Sequence, residues 1–206
     1  MFQTSSEGLQ PESDSRAVIL AERVKYLCSP INDSYKCLPF LYDYVIRRNP
    51  INILELGVHM GYSTRILLLG ASQYGGHVDS VDIALNDAVK STMENINKWG
   101  LNRFWTLIIN DSLYVNWTKD IDMLYIDSLH TYPHTLYELE KYYEFCNDNT
   151  RIFLHDCSHP LYKEDIMRSI REFTYNIGWE YEILTEETNG LAMLYKGDIN
   201  EISRMV

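Results

Sequence analysis

Two short stretches bring acids and imidazoles together. In DIDMLYIDSLH, Asp127 is followed three residues later by His130, and RIFLHDCSH carries the adjacent pair His155 and Asp156. A carboxylate and an imidazole that can face one oxygen are the parts of an acid-base or metal site, because a neutral alcohol must lose its proton to become a useful nucleophile. A third stretch, INILELGVHMGYS, holds no nucleophile but has the form of a ligand loop. Ile53, Leu54 and Leu56 supply a buried strand with Glu55 near its carboxyl end. Gly57 and Gly61 then let backbone lie close to a ligand, and Tyr62 and Ser63 open a helix whose amino terminus faces it. A dinucleotide fingerprint requires G-x-G-x-x-G after the strand, whereas the second glycine here comes four residues after the first, which argues against NAD.

These residues can meet only if the surrounding elements carry them to one edge. The apolar periodicity predicts helices at about 15 to 28 and 34 to 48. A regular alternation follows: strand 51 to 56, helix 62 to 73, strand 77 to 82, helix 86 to 99, strands 104 to 109 and 121 to 126, helix 133 to 145, strand 150 to 155 and helix 161 to 176. Such alternation implies a parallel sheet covered on both faces, and WEYEILTE and GLAMLYKG, separated by polar residues around Thr188, suit a closing antiparallel hairpin. Open sheets of this kind bind ligands at the carboxyl ends of their strands. The second strand ends at Asp82, placed to accept hydrogen bonds from ribose hydroxyls, and the third ends at Asn110, Asp111 and Ser112, placed for an adenine edge. Asp79, earlier in its strand, reads as an exposed or strand-start acid. Asp122 should lie at the opposite sheet edge from Asp127, roughly 17 Å away at ~3.3 Å per residue, and reads as structural.

Composition sets the remaining bounds. With 206 residues, 46% of them hydrophobic, one domain with a sizeable core is expected: a polar tail over 1–14, a helical cap over 15–50 and a ligand-binding body over 51–200. A formal net charge of −11 gives no electrostatic footprint for nucleic acid or an anionic membrane. The absence of a long apolar run and of a leader pattern makes the cytoplasm the expected location. The four cysteines form no C-x-x-C pair and read as reduced thiols. His59, His77 and His134 read as structural and His159 as a neighbour of an acceptor pocket. Tyr132 alone among the tyrosines is assigned a substrate contact, and Glu138, Glu140 and Glu144 read as the solvated face of an amphipathic helix.

The pattern E-x-G-x-x-x-G-x-S, with IDSLHTYPHTLYELEKYY and RIFLHDCSH, resembles class I S-adenosylmethionine-dependent methyltransferases over about Ile51 to Lys196. It is most similar to the subfamily holding macrolide-sugar and catechol-type O-methyltransferases. The resemblance implies a Rossmann-like seven-stranded mostly parallel sheet of order 3-2-1-4-5-7-6, with helices on both faces and a carboxy-terminal antiparallel hairpin. It implies S-adenosylmethionine bound by Glu55, Gly57, Gly61, Tyr62, Ser63, Asp82, Asp111, Ser112 and Asp127, and a small hydroxylated acceptor, a sugar or polyol. His130 takes the position of the general base beside Asp127. A divalent cation, magnesium, manganese or another, would be held by Asp127, His155 and Asp156; histidine at 155 suits magnesium poorly, so a metal-free site stays an alternative. A non-methylating relative of the cephalosporin hydroxylase type and an inactive cofactor-binding scaffold are the competing readings. A homodimer is expected on base rates.

Overall fold

The computed structural model describes residues 11–197. Two helices, α1 (Pro11–Leu27) and α2 (Leu38–Arg48), precede a seven-stranded sheet. The strands are β1 (Asn52–Leu56), β2 (His77–Asp82), β3 (Trp105–Ile109), β4 (Ile121–Ile126), β5 (Cys146–His155), β6 (Glu180–Thr185) and β7 (Leu191–Tyr195). They lie in the order β3-β2-β1-β4-β5-β7-β6, parallel except for the antiparallel pairs β5 to β7 and β7 to β6. This is the expected topology. The crossovers are α3 (Tyr62–Ala71), α4 (Asp87–Lys98), α5 (Tyr132–Tyr143) and α6 (Lys163–Ile177). The tail expected over residues 1–14 lies outside the described residues up to residue 10, and α1 begins within it.

Alternation along the strands divides the core between the two faces. Ile53, Tyr125, Phe153 and Met193 pack with Leu41, Val45, Ile66 and Leu67 of α2 and α3. On the other face Leu54, Leu124, Ile152 and Leu194 pack with Leu139, Ile170 and Phe173 of α5 and α6. Each such aliphatic, taken fully from water, contributes about 1.5–3 kcal/mol.

Two boundaries differ from the periodicity. Helix α2 starts at Leu38 rather than at 34, because Asn32 organises a preceding turn: its Nδ2 donates to Leu27 O at 3.0 Å and its Oδ1 accepts from Ser34 N at 2.9 Å. Strand β5 begins at Cys146 rather than 150, since an irregularity in its pairing with β4 is bridged by Thr150, whose hydroxyl donates to Ile121 O at 2.6 Å. A guanidinium ladder fastens α1 to the body. Arg23 and Arg65 lie over Trp99, 4.9 and 5.4 Å from its ring centroid, and Arg65 also covers Tyr62.

Candidate active site

The carboxyl ends of β1 to β5 open into a cavity of about 930 Å³. The loop after β1 lines it, and its path is set by a steric requirement. Gly57 sits at φ 96°, and a Cβ there would overlap the carbonyl of Asp127, so β1 and β4 can deliver their loops side by side only with glycine at this position. Gly61, at φ 63°, is the amino-terminal cap residue of α3 and brings no side-chain hydrogen bond. Gly57, Gly61, Tyr62 and Ser63 all line the cavity.

Glu55 does not line it, which corrects its expected place as a direct ligand. It is fully buried beneath the loop, and its two oxygens accept from Ser63 Oγ and Ser80 Oγ, both at 2.6 Å. Burial pushes its carboxyl up to about 7 against the pull of those hydroxyls.

Asp82 does line the cavity, and it is already in use. Its Oδ2 accepts from the amides of Val58 at 3.0 Å and His59 at 3.1 Å, and its Oδ1 accepts from Ala84 N at 3.1 Å. Of about four acceptor positions on a carboxylate, roughly one remains, so Asp82 can take one hydroxyl fully rather than two. Asp111 accepts from Leu113 N at 2.9 Å and also faces the cavity. The two other strand acids are structural. Asp79 is buried rather than exposed and is paired with Lys119 Nζ at 2.7 Å; Asp122 Oδ2 accepts from the amides of Ile51 and Asn52 at 2.9 Å.

Across β4 and β5 the catalytic candidates converge. His130 Nε2 lies 3.2 Å from Asp127 Oδ1 and 2.9 Å from Asp156 Oδ2, and its ring stacks on Tyr162 at 4.6 Å between centroids. Burial opposes charge on this imidazole, but its hydrogen bonds to the two carboxylates outweigh burial and lift it to about 9. Burial likewise favours neutral carboxyls, yet the neighbouring imidazoles hold Asp127 below the usual range and draw Asp156 down to about 2. Asp156 adopts a left-handed backbone at φ 61°, a costly conformation for a non-glycine residue and one that concentrates at functional sites.

Asp127, His130 and Asp156 offer ligand atoms within 4.8 Å of one another. The spacings around His130 Nε2 are hydrogen-bond distances, and a divalent cation, if bound, would be held by these three side chains. Asp156 Oδ1 is buried without a hydrogen-bond partner, a second sign that the cluster can take a ligand. His155, expected as a metal ligand, is not in that group. It is 3% exposed behind the carboxylates, with Nδ1 3.3 Å from an oxygen of each but in no directed hydrogen bond. Burial opposes charge on its imidazole, and the negative charge of Asp127 raises it in spite of that burial.

Four assignments shift. Tyr132 turns away from the cavity, donating to Glu172 Oε2 at 2.7 Å under the guanidinium of Arg168, and Tyr162 lines the wall instead. Glu138 is not on a solvated face but is fully buried. It accepts from Ser112 Oγ at 2.5 Å and Ser128 Oγ at 2.7 Å, and its Oε1 lies 3.1 Å from His134 Nε2. Ser112, expected at an adenine edge, therefore spends its hydroxyl hydrogen on Glu138, and His134, expected to be structural, lines the cavity. Helical periodicity puts residues 134 and 138 on one face and could have paired them; it could not say which face was buried.

The sequence pattern of a methyltransferase domain family matches residues 54–157, which contain Glu55, Asp82, Asp111, Asp127 and Asp156. No curated protein matches by sequence. Among solved structures, an O-methyltransferase from Bacillus cereus in complex with S-adenosylhomocysteine is similar with a TM-score of 0.66 at 19% identity, over 92% of this chain and 93% of that one. The S-adenosylhomocysteine-bound methyltransferase of Podospora anserina is similar with a TM-score of 0.65 at 13% identity, over 95% and 100%. The O-methyltransferase TomG of Streptomyces achromogenes, solved with S-adenosylmethionine and involved in tomaymycin synthesis, gives 0.61 at 14% identity, over 92% of each chain. At these identities the likeness speaks for the fold.

Proposed function

The chain belongs to the methyltransferase domain family, and from that premise we propose that it transfers a methyl group from S-adenosylmethionine to a hydroxyl oxygen of a small molecule, a sugar or polyol. One observation carries the reading: the carboxylate and imidazole ligand atoms of Asp127, His130 and Asp156 meet in the same cavity as the glycine loop and Asp82. The bound donor would supply an electrophilic methyl group, which leaves alignment and removal of the acceptor proton to the protein.

Asp82 accepts a ribose hydroxyl at its remaining acceptor position, while its bonds to the Val58 and His59 amides hold the loop in shape. Asp127 and Asp156 orient the acceptor hydroxyl, and the imidazole of His130, once it has released the proton that these carboxylates otherwise hold on it, takes the hydroxyl proton. Tyr162 fixes the imidazole plane by stacking, and the two carboxylates stabilise the imidazolium that forms. A divalent cation between Asp127 and Asp156 would add Lewis acidity and take over the negative charge that otherwise keeps the proton on His130. The mixed oxygen and nitrogen surroundings suit manganese, iron or zinc better than magnesium.

The test is a methyl-transfer assay with S-adenosylmethionine and a panel of hydroxylated sugars and polyols, with product mass as the readout. A mass gain of one methylene supports the reading. A hydroxylated product, or none from any acceptor, contradicts it. In the same assay, chelation followed by readdition of manganese or zinc is expected to abolish and then restore turnover.

A further inference from the structure

The buried Glu138 network serves no step of the proposed transfer, yet it reaches the cavity through His134. A fully buried carboxylate is costly unless every oxygen is hydrogen-bonded, and this one is met by two serine hydroxyls and an imidazole from three different segments. Ser112 follows β3, Ser128 follows β4, and His134 lies in the first turn of α5. Lys141 Nζ and Tyr142 Oη, from further along α5, bind the carbonyl of Ser112 at 2.8 and 2.7 Å and lock the same junction. Glu138 occupies Nε2 of His134 and so fixes which edge of the ring is free. Nδ1 has no partner among the described residues, and it belongs to a ring that borders the cavity.

The strand order gives that edge its neighbour. Asp82 and Asp111 lie on one side of Gly57, Asp127 and Asp156 on the other. Resting on the functional reading above, a donor with its methyl group at Asp127 and its ribose at Asp82 extends its base past Asp111 to Ser112 and His134. We propose that His134, oriented by Glu138, is the residue that selects adenine in the donor, through a hydrogen bond from Nδ1 to the Watson–Crick edge of the base. A bare Nδ1 accepts from the 6-amino group, and a protonated one donates to N1. Hypoxanthine reverses both partners in the same register, since it carries an oxygen at position 6 and a hydrogen on N1. His134 is thus a specificity residue and Glu138 a positioning residue.

The experiment compares calorimetric affinities for S-adenosylhomocysteine and its hypoxanthine counterpart, S-inosylhomocysteine, in wild type, His134→Ala, His134→Gln and Glu138→Gln. Thermal melting of each variant verifies its fold. Wild type is expected to prefer the adenine compound by about tenfold or more, the worth of one well-placed hydrogen bond against a reversed one. In His134→Ala the ratio is expected to fall to near one. His134→Gln, whose amide can both donate and accept, should bind both compounds, and Glu138→Gln should reduce the ratio by freeing the ring. A loss of packing alone would weaken both ligands equally and leave the ratio intact. An unchanged ratio in the His134 variants, or a wild type that does not discriminate, overturns the inference while leaving the methyltransferase reading in place. Failure of wild type to bind either compound overturns that reading and the inference with it.

Discussion

At the scale of single residues the site is a set of charges held in place by other charges. His130 reaches both strand-end carboxylates and, unlike the buried His155, is partly exposed at the cavity, so His130→Ala is expected to slow methyl transfer about 100-fold or more and to leave S-adenosylhomocysteine affinity nearly unchanged. Steady-state kinetics beside calorimetry checks this; unchanged turnover removes His130 from the mechanism. Glu55 gives a prediction of another kind. Its buried carboxyl, raised from 4.5 to about 7, keeps in the folded state a proton that the unfolded chain has released, so its contribution lowers stability as pH rises from about 4.5 to 7. Glu55→Gln lacks that proton, and the difference in unfolding free energy between variant and wild type should swing in the variant's favour by on the order of 3 kcal/mol over this window. Denaturant titrations at pH 5 and pH 8 measure it, and a difference independent of pH contradicts the assignment. Asp127, His130 and Asp156 were legible in the sequence because strand periodicity puts residue types at strand ends. Glu138 and His134 were not, because an amphipathic pattern with glutamates on its polar side gives no sign that one glutamate meets two serines from distant loops.

At the scale of elements, the loop between β1 and α3 does the positioning. It is held from below by Glu55 through Ser63, from the side by Asp82, and from α3 itself by Arg65, whose Nε donates to Gly61 O at 2.9 Å. Gly57→Ala meets both a left-handed φ of 96° and the Asp127 carbonyl, so the loop must shift. Strain of this kind costs about 1–3 kcal/mol, and donor affinity should fall with it. Melting and S-adenosylhomocysteine titration of the variant check both effects together; wild-type values for both would show that the contact between the β1 and β4 loops is not tight. The glycine spacing was readable in advance because it excluded a dinucleotide loop. The exact start of β5 was not, since its irregular pairing depends on Thr150 meeting a carbonyl of β4.

At the scale of the whole molecule, the strand order was legible only through resemblance to a known family, because alternation implies a parallel sheet but not which strand sits at its centre. The structure places β1 and β4 side by side in the middle, with Asp82 and Asp111 on one side of Gly57 and Asp127 and Asp156 on the other. No helix among the described residues is long and apolar enough to cross a membrane. A ligand that binds the folded chain alone must stabilise it by mass action, so S-adenosylhomocysteine at 100 times its dissociation constant should add about 2.7 kcal/mol to unfolding and raise the melting temperature accordingly. The most direct test of the central claim is calorimetric titration of S-adenosylhomocysteine into wild type and Asp82→Ala, with NAD titrated in parallel. Micromolar binding, worth about 8 kcal/mol, that weakens in the variant and is absent for NAD is the predicted result. No heat from S-adenosylhomocysteine, or equal affinity in the variant, would contradict the assignment of this cavity to the methyl donor.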